Sequence, residues 1–153
     1  MPSMAKENNM NSDINDEWKL LKVEDKDTNQ IWFFRKNMGI KELEEKGQYP
    51  TLVYFTVGYS PDDELGLPSK EDSQKLYAFE EKYVPKIEND AKCIHVASVM
   101  KNGINDHLFY ISDPKLFLKT INGYSKYLEG FSIDLENQDD PEWEIYSDFP
   151  DGA

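Results

Sequence analysis

The chain opens on two short runs of strand-favouring residues, Trp18 to Val23 (WKLLKV) and Ile31 to Arg35 (IWFFR). Between them lies the polar stretch Glu24-Asp25-Lys26-Asp27-Thr28-Asn29, and this pattern predicts a β-hairpin. A charged segment ending on glycine, Ile40 to Gly47, predicts one or two helical turns. Tyr49-Pro50 then leads into Thr51 to Tyr59 (TLVYFTVGY), which is apolar, β-branched or aromatic nearly throughout. Such a run is expected of a central strand covered on both faces.

The next stretch, Ser60 to Pro68, is dense in turn residues. Ser69 with Asp72 three residues on fits a capping box, and Leu76, Phe79, Tyr83 and Ile87 follow at helical spacing. Pro85 is expected to kink or shorten that helix, because its ring clashes with the preceding turn. Cys93 to Met100 (CIHVASVM) and Asn105 to Ile111 (NDHLFYI), joined at Lys101-Asn102-Gly103, predict a second hairpin. Asp113-Pro114 supplies an N-cap and a first-turn proline, Phe117, Ile121, Tyr124 and Leu128 mark one helical face, and Gly130 is placed to end it. Phe131 to Leu135 predicts a last strand. The order β-β followed by β-α-β-β-α-β predicts an α+β domain. It has the ferredoxin-like split β-α-β sheet, two helices on one face, plus an N-terminal β-hairpin. With no internal repeat and no linker, residues 17–150 read as one domain behind a disordered leader, residues 1–16.

Composition sharpens this picture. With 39% hydrophobic and 13% aromatic residues, the chain of 153 can bury a real core, which excludes wholesale disorder. Thirty acidic residues stand against seventeen basic, a formal charge of -13. That balance argues against nucleic acid or an anionic membrane as partner, since both are bound by neutralising phosphate with Lys and Arg. No apolar run approaches the ~20 residues of a membrane helix. One cysteine excludes a disulfide framework and cysteine-rich zinc modules, and it suits a reducing, cytoplasmic compartment. Nothing before Asp16 has the pattern of a secretory signal.

The acidic excess is uneven. Segment 132–153 carries eight acidic residues and no Lys or Arg. It also holds Trp143, Tyr146 and Phe149, and disordered acidic ends are usually poor in aromatics. Two readings follow for this end. Trp143 and Tyr146 fold back to close the core, or Asp139, Asp140, Glu142, Trp143, Glu144 and Tyr146, with Arg35 near the first hairpin, form a contact surface for a basic protein partner. Trp, Tyr and Arg anchor interfaces, and charge steers encounter. The two readings are compatible.

Other chemistries find thinner support. His95 and His107 lie on strands that can pair, but no H-x-x-x-H or H-E-x-x-H spacing marks a metal site, and no metal or cofactor is expected. The alternation of the strand puts Cys93, His95 and Ala97 on one face, and His107 shares its parity with Phe109 and Ile111. Cys93 has no helix N-terminus or glycine elbow to activate it. Tyr54, Phe55, Phe109 and Tyr110 superficially resemble the base-stacking residues of an RNA-binding sheet, but their strands are the most apolar in the chain and their surroundings acidic.

Several motifs in order are familiar together: Trp18, Arg35-Lys36-Asn37, Tyr49-Pro50, Gly66-Leu67-Pro68, Asn105 to Tyr110, and Asp140-Pro141-Glu142-Trp143-Glu144-Ile145-Tyr146. Over roughly Glu17 to Phe149 the chain resembles the bacterial domain-of-unknown-function family six-nine-five. Some members of that family are similar to fusions with a small acidic regulator that inhibits by binding, so the resemblance implies regulation rather than an established reaction. Asn105 stands where the family pattern has a basic residue, and a site relying on that charge would lack it here. The expected function is a non-catalytic protein-binding or regulatory module using an acidic surface. The alternative is a small-ligand-binding domain or hydrolase with a pocket of histidine and carboxylates.

Overall fold

The computed structural model describes residues 16–41 and 43–151. The expected leader, apart from Asp16, lies outside them. Six strands and three helices follow in chain order: β1 (Trp18–Glu24), β2 (Ile31–Asn37), β3 (Thr51–Gly58), α1 (Lys70–Ala91), β4 (Cys93–Lys101), β5 (Ile104–Ile111), α2 (Pro114–Tyr124), β6 (Ser132–Asp139) and α3 (Glu144–Asp148). Short 3-10 turns span Met38–Ile40, Glu44–Gln48 and Ser125–Leu128. The strands form one sheet in the order β1-β2-β4-β5-β3-β6, and every neighbouring pair is antiparallel. The protein is thus of the mixed α+β class. Among the described residues no helix is long and apolar enough to cross a membrane.

The local signals work as their chemistry predicts. The Ser69 hydroxyl accepts from the Asp72 amide at 3.1 Å, capping α1. The Asp113 carboxylate accepts from the amides of Lys115 and Leu116, both at 3.1 Å, at the start of α2. Between β4 and β5, Asn102 and Gly103 take φ values of 41° and 90°, both in the left-handed region that a two-residue hairpin turn needs. At Gly103 a side chain is excluded twice over: φ is unfavourable, and an added Cβ would stand 3.2 Å from the Tyr59 carbonyl oxygen.

Two elements run past their expected ends. Helix α1 runs through Pro85 to Ala91 and is not shortened there. The proline removes one backbone donor, but Ile87 and Ala91 beyond it are fully buried and hold the last turns in place. Strand β6 extends past Leu135 to Asp139, because its polar end pairs along the whole of β3 and lies at the sheet edge, where water reaches it.

Each face of the sheet carries its own core. On one face, Leu76, Phe79, Val84 and Ile87 of α1 and Phe117 and Ile121 of α2 pack on Val53, Phe55, Val57, Phe109 and Ile111. On the other, Trp143 and Tyr146 close over Leu52, Ile94, Val96, Leu108 and Tyr110. The C-terminal segment is therefore a clasp. The Trp143 ring stacks on Tyr110 at 4.1 Å with 14° between planes, and its indole N–H donates to the Tyr49 carbonyl at 3.0 Å. Asp140 accepts from the Tyr110 hydroxyl at 2.7 Å and from the amides of Glu144 and Ile145 at 2.9 and 3.0 Å. Lys36, only 1% exposed, donates from Nζ to the Phe149 carbonyl at 3.0 Å and to Asp151 at 2.8 Å.

Candidate functional site

The first hairpin extends the sheet beyond β4, and α1 passes beside it, leaving a cleft between helix and hairpin. Two cavities make up this cleft and share Arg35 and Glu80. The larger, about 330 Å³, is walled by Leu20, Phe33, Leu76 and Met100, with Ser98 and Asn105 at its floor. The smaller, about 140 Å³, is lined by Asp16, Trp18, Val84, Pro85, Glu88 and His95 besides the shared pair.

Strand pairing assembles the floor. Arg35 of β2 lies opposite Ser98 of β4, and Ser98 lies opposite His107 of β5. The Arg35 Nε donates to the Ser98 hydroxyl at 3.1 Å, its guanidinium forms an ion pair with Glu80, and its Cζ sits 5.1 Å over the Trp18 ring. A β-bulge between His95 and Ala97 interrupts the regular alternation. Ala97, expected on the face of Cys93 and His95, is sent to the opposite core with Val96, while His95 stays on the helix side. The extra residue is the cause: it shifts side-chain parity by one.

His95 and His107 converge. His95 Nε2 and His107 Nδ1 are 3.2 Å apart, so one ring donates and the other accepts. Only one proton fits between them. Burial holds both imidazoles below their ordinary value, His107 down to about 3, with Arg35 adding to the effect on each and His107 adding to that on His95. Glu80 Oε1 lies 3.9 Å from His107 Nδ1. Glu88 accepts from the His95 amide at 3.0 Å, yet burial pushes its carboxyl up to about 8, and the nearby Asp16 pushes the same way. Cys93 is buried, its thiol raised by burial and by Glu88. Among the described residues no group of three His, Cys, Asp or Glu side chains is arranged to hold a metal ion.

The residues expected to contact a partner are dispersed. Asp140, Trp143 and Tyr146 are buried in the clasp, where their side chains serve the fold. Asp139, Glu142 and Glu144 are exposed at the same end. Arg35 belongs to the cleft, in the company of α1 and β4. Of the four aromatics that resemble base-stacking residues, Phe55, Phe109 and Tyr110 are fully buried.

Glu80 and Glu88 are the cleft residues that sequence reasoning passed over. A signal existed: Leu76, Glu80, Val84 and Glu88 are spaced by four, so they form one ridge of α1 in which buried apolar positions alternate with carboxylates. Acids in such a ridge mark a helix face that meets something polar.

A mixed α+β protein with a charged cleft between one helix and a hairpin is the class that fold and site define. Residues 16–149 match DUF695, a family of unknown function, and the chain belongs to that family. No curated protein and no solved structure matches it.

Proposed function

We propose that this protein binds a small molecule in the cleft between α1 and the β1–β2 hairpin. The observation that carries this reading is the company kept by Glu88 and His95. A carboxyl held up to about 8 and a neutral buried imidazole line a cavity together with an arginine and a tryptophan. Burying such groups opposes folding, and apolar side chains would fill the same space at less cost. Perturbed groups gathered in a cleft are the physical mark of a binding or reactive site. The strand order β4-β5-β3-β6, with α1 and α2 on one face, supports taking residues 51–139 as a ferredoxin-like split β-α-β unit, with the hairpin added as one wall of the site. A cytoplasmic setting suits the buried thiol of Cys93.

A fragment library followed by amide and indole NMR shifts tests the reading. Shifts should gather on Trp18, Arg35, Glu88 and His95, and Ser73→Phe, which puts a ring at an exposed rim position of the larger cavity, should weaken them at least about tenfold without unfolding the protein. Fragments that bind only outside the cleft would overturn it.

Binding of a basic protein through the acidic end is a second reading, and the exposure of Asp139, Glu142 and Glu144 favours it: among the described residues none of them is in an ion pair. Replacing the three by Asn or Gln should leave stability within about 0.5 kcal/mol. Recovery of any salt-sensitive partner from lysate should drop severalfold. Undiminished recovery by the folded triple variant would remove the contact role.

A further inference from the structure

The lining of the smaller cavity is lopsided in charge. Asp16, Glu80 and Glu88 bring three carboxyl groups to it, and among the described residues Arg35 is its one cation. That guanidinium is already engaged by Glu80, by the Ser98 hydroxyl and by the Trp18 ring. His95 supplies no charge, because burial and the adjoining His107 keep it neutral. Asp16 accepts from the Asn37 side-chain amide at 3.0 Å and Glu88 from the His95 backbone amide, and both of these donors are neutral. Among the described residues, the carboxyl groups of Asp16 and Glu88 therefore have hydrogen bonds but no counter-charge. The adjoining larger cavity has mainly apolar walls.

We propose that the cleft takes a ligand with a protonated nitrogen head, an ammonium or amidinium, on an apolar body, with the head beside Glu88 and Asp16 and the body against Leu20, Phe33, Leu76 and Met100. This rests on the cleft being the binding site. An anionic head would meet Asp16 at close range, would hold Glu88 in its protonated form, and would have to displace Glu80 from Arg35 to gain a counter-charge. The field of a chain with net charge -13 also draws cations and repels anions before contact.

Proton linkage gives the proposal a signature. Glu88 faces Asp16 from the segment before β1, Arg35 from β2, His95 and Cys93 from β4, and Glu80 along its own helix. With its carboxyl raised to about 8, Glu88 is mostly protonated at pH 7 in the empty cleft. A cation seated beside it favours the carboxylate, so the carboxyl O–H breaks on binding and the proton leaves to buffer. Binding then tightens as pH rises from 6 towards 8.

Calorimetric titration at pH 7 with phenethylamine, in two buffers of different ionisation enthalpy, tests this against phenethyl alcohol and phenylacetate as neutral and anionic isosteres. The amine should bind about tenfold or more tightly than the alcohol. It should release up to about one proton and shift the Trp18 indole signal. Glu88→Gln keeps an acceptor for the His95 amide, so it should stay folded. It should bring the amine down to the alcohol's affinity, abolish proton release and leave the alcohol unaffected. An amine that binds Glu88→Gln as well as it binds the wild type would overturn the proposal. Phenylacetate binding the cleft more tightly than the amine would overturn the cationic head and leave the cleft standing. Failure of all three probes to shift the Trp18 indole at millimolar concentration would remove both.

Discussion

Trp143→Ala should lower the unfolding free energy by about 3–5 kcal/mol, the range for deleting a buried aromatic. The ring is 0% exposed, stacked on Tyr110 and edge-on to Tyr146, so its removal opens a cavity in the core beneath the clasp. The Tyr49 carbonyl also loses its donor. For a fold whose whole stability is of order 5–15 kcal/mol, this is a large share, and the variant should unfold at a much lower urea concentration. Trp143→Phe separates the contributions: it keeps a ring on Tyr110 and loses the indole N–H, so it should cost only about 1–2 kcal/mol. Urea unfolding at constant m-value measures both. A loss below about 1 kcal/mol for Trp143→Ala would mean that the C-terminal segment opens independently of the sheet.

Stability should pass through a maximum near pH 6.5, because the cleft holds groups displaced in opposite directions. Glu88 sits at about 8 in the fold against an ordinary 4.5, burial being the main cause. Between those values the folded state keeps a proton that the unfolded chain has released, so stability falls as pH rises. The histidines act in the reverse sense. Burial holds both below 6.5, so under that pH the unfolded chain takes up two protons that the folded state refuses, and stability falls as pH drops. From 4.5 to 6.5 the two protons outweigh the one, and stability should rise by on the order of 1 kcal/mol per pH unit; from 6.5 to 8 Glu88 acts alone and stability should fall at a similar rate. Below this window Asp140 adds to the acid loss. Burial disfavours its charge, but the Tyr110 hydroxyl and the amides of Ile145 and Glu144 together outweigh burial and hold it below the usual carboxylate range.

Urea unfolding from pH 4.5 to 9 reads this profile directly. Glu88→Gln should remove the alkaline fall and roughly double the acid slope, since nothing then offsets the histidines. A profile flat from pH 5 to 8 would show that Glu88 and the two imidazoles are in contact with water, and it would take away the main support for the binding cleft.

Much of the architecture was legible along the chain because its determinants are local. Ser69 and Asp113 cap helices through bonds to amides two or three residues away, and Asn102-Gly103 turns the hairpin through its own φ values. Alternation and helical spacing then assign most residues to a core face. The acidic C-terminal segment was legible as an ordered one from its aromatics. That Asp140 is a buried acceptor for Tyr110, and Lys36 the anchor of the chain end, depends on partners 30 and 115 residues away.

The cleft lies at the other extreme. Trp18, Arg35, Glu80, Glu88, His95 and His107 come from four strands and a helix, and beyond the four-residue spacing that puts Glu80 and Glu88 on one ridge of α1, no spacing in the sequence links them. Their meeting follows from the sheet order, which sets β2 beside β4 and β4 beside β5, and from one bulge that keeps His95 under α1 while turning Ala97 away. Residue type and local pattern determined which elements form and which side of each is apolar. Long-range pairing alone decided which charged groups share a cavity, and through their burial which of them hold or lose a proton.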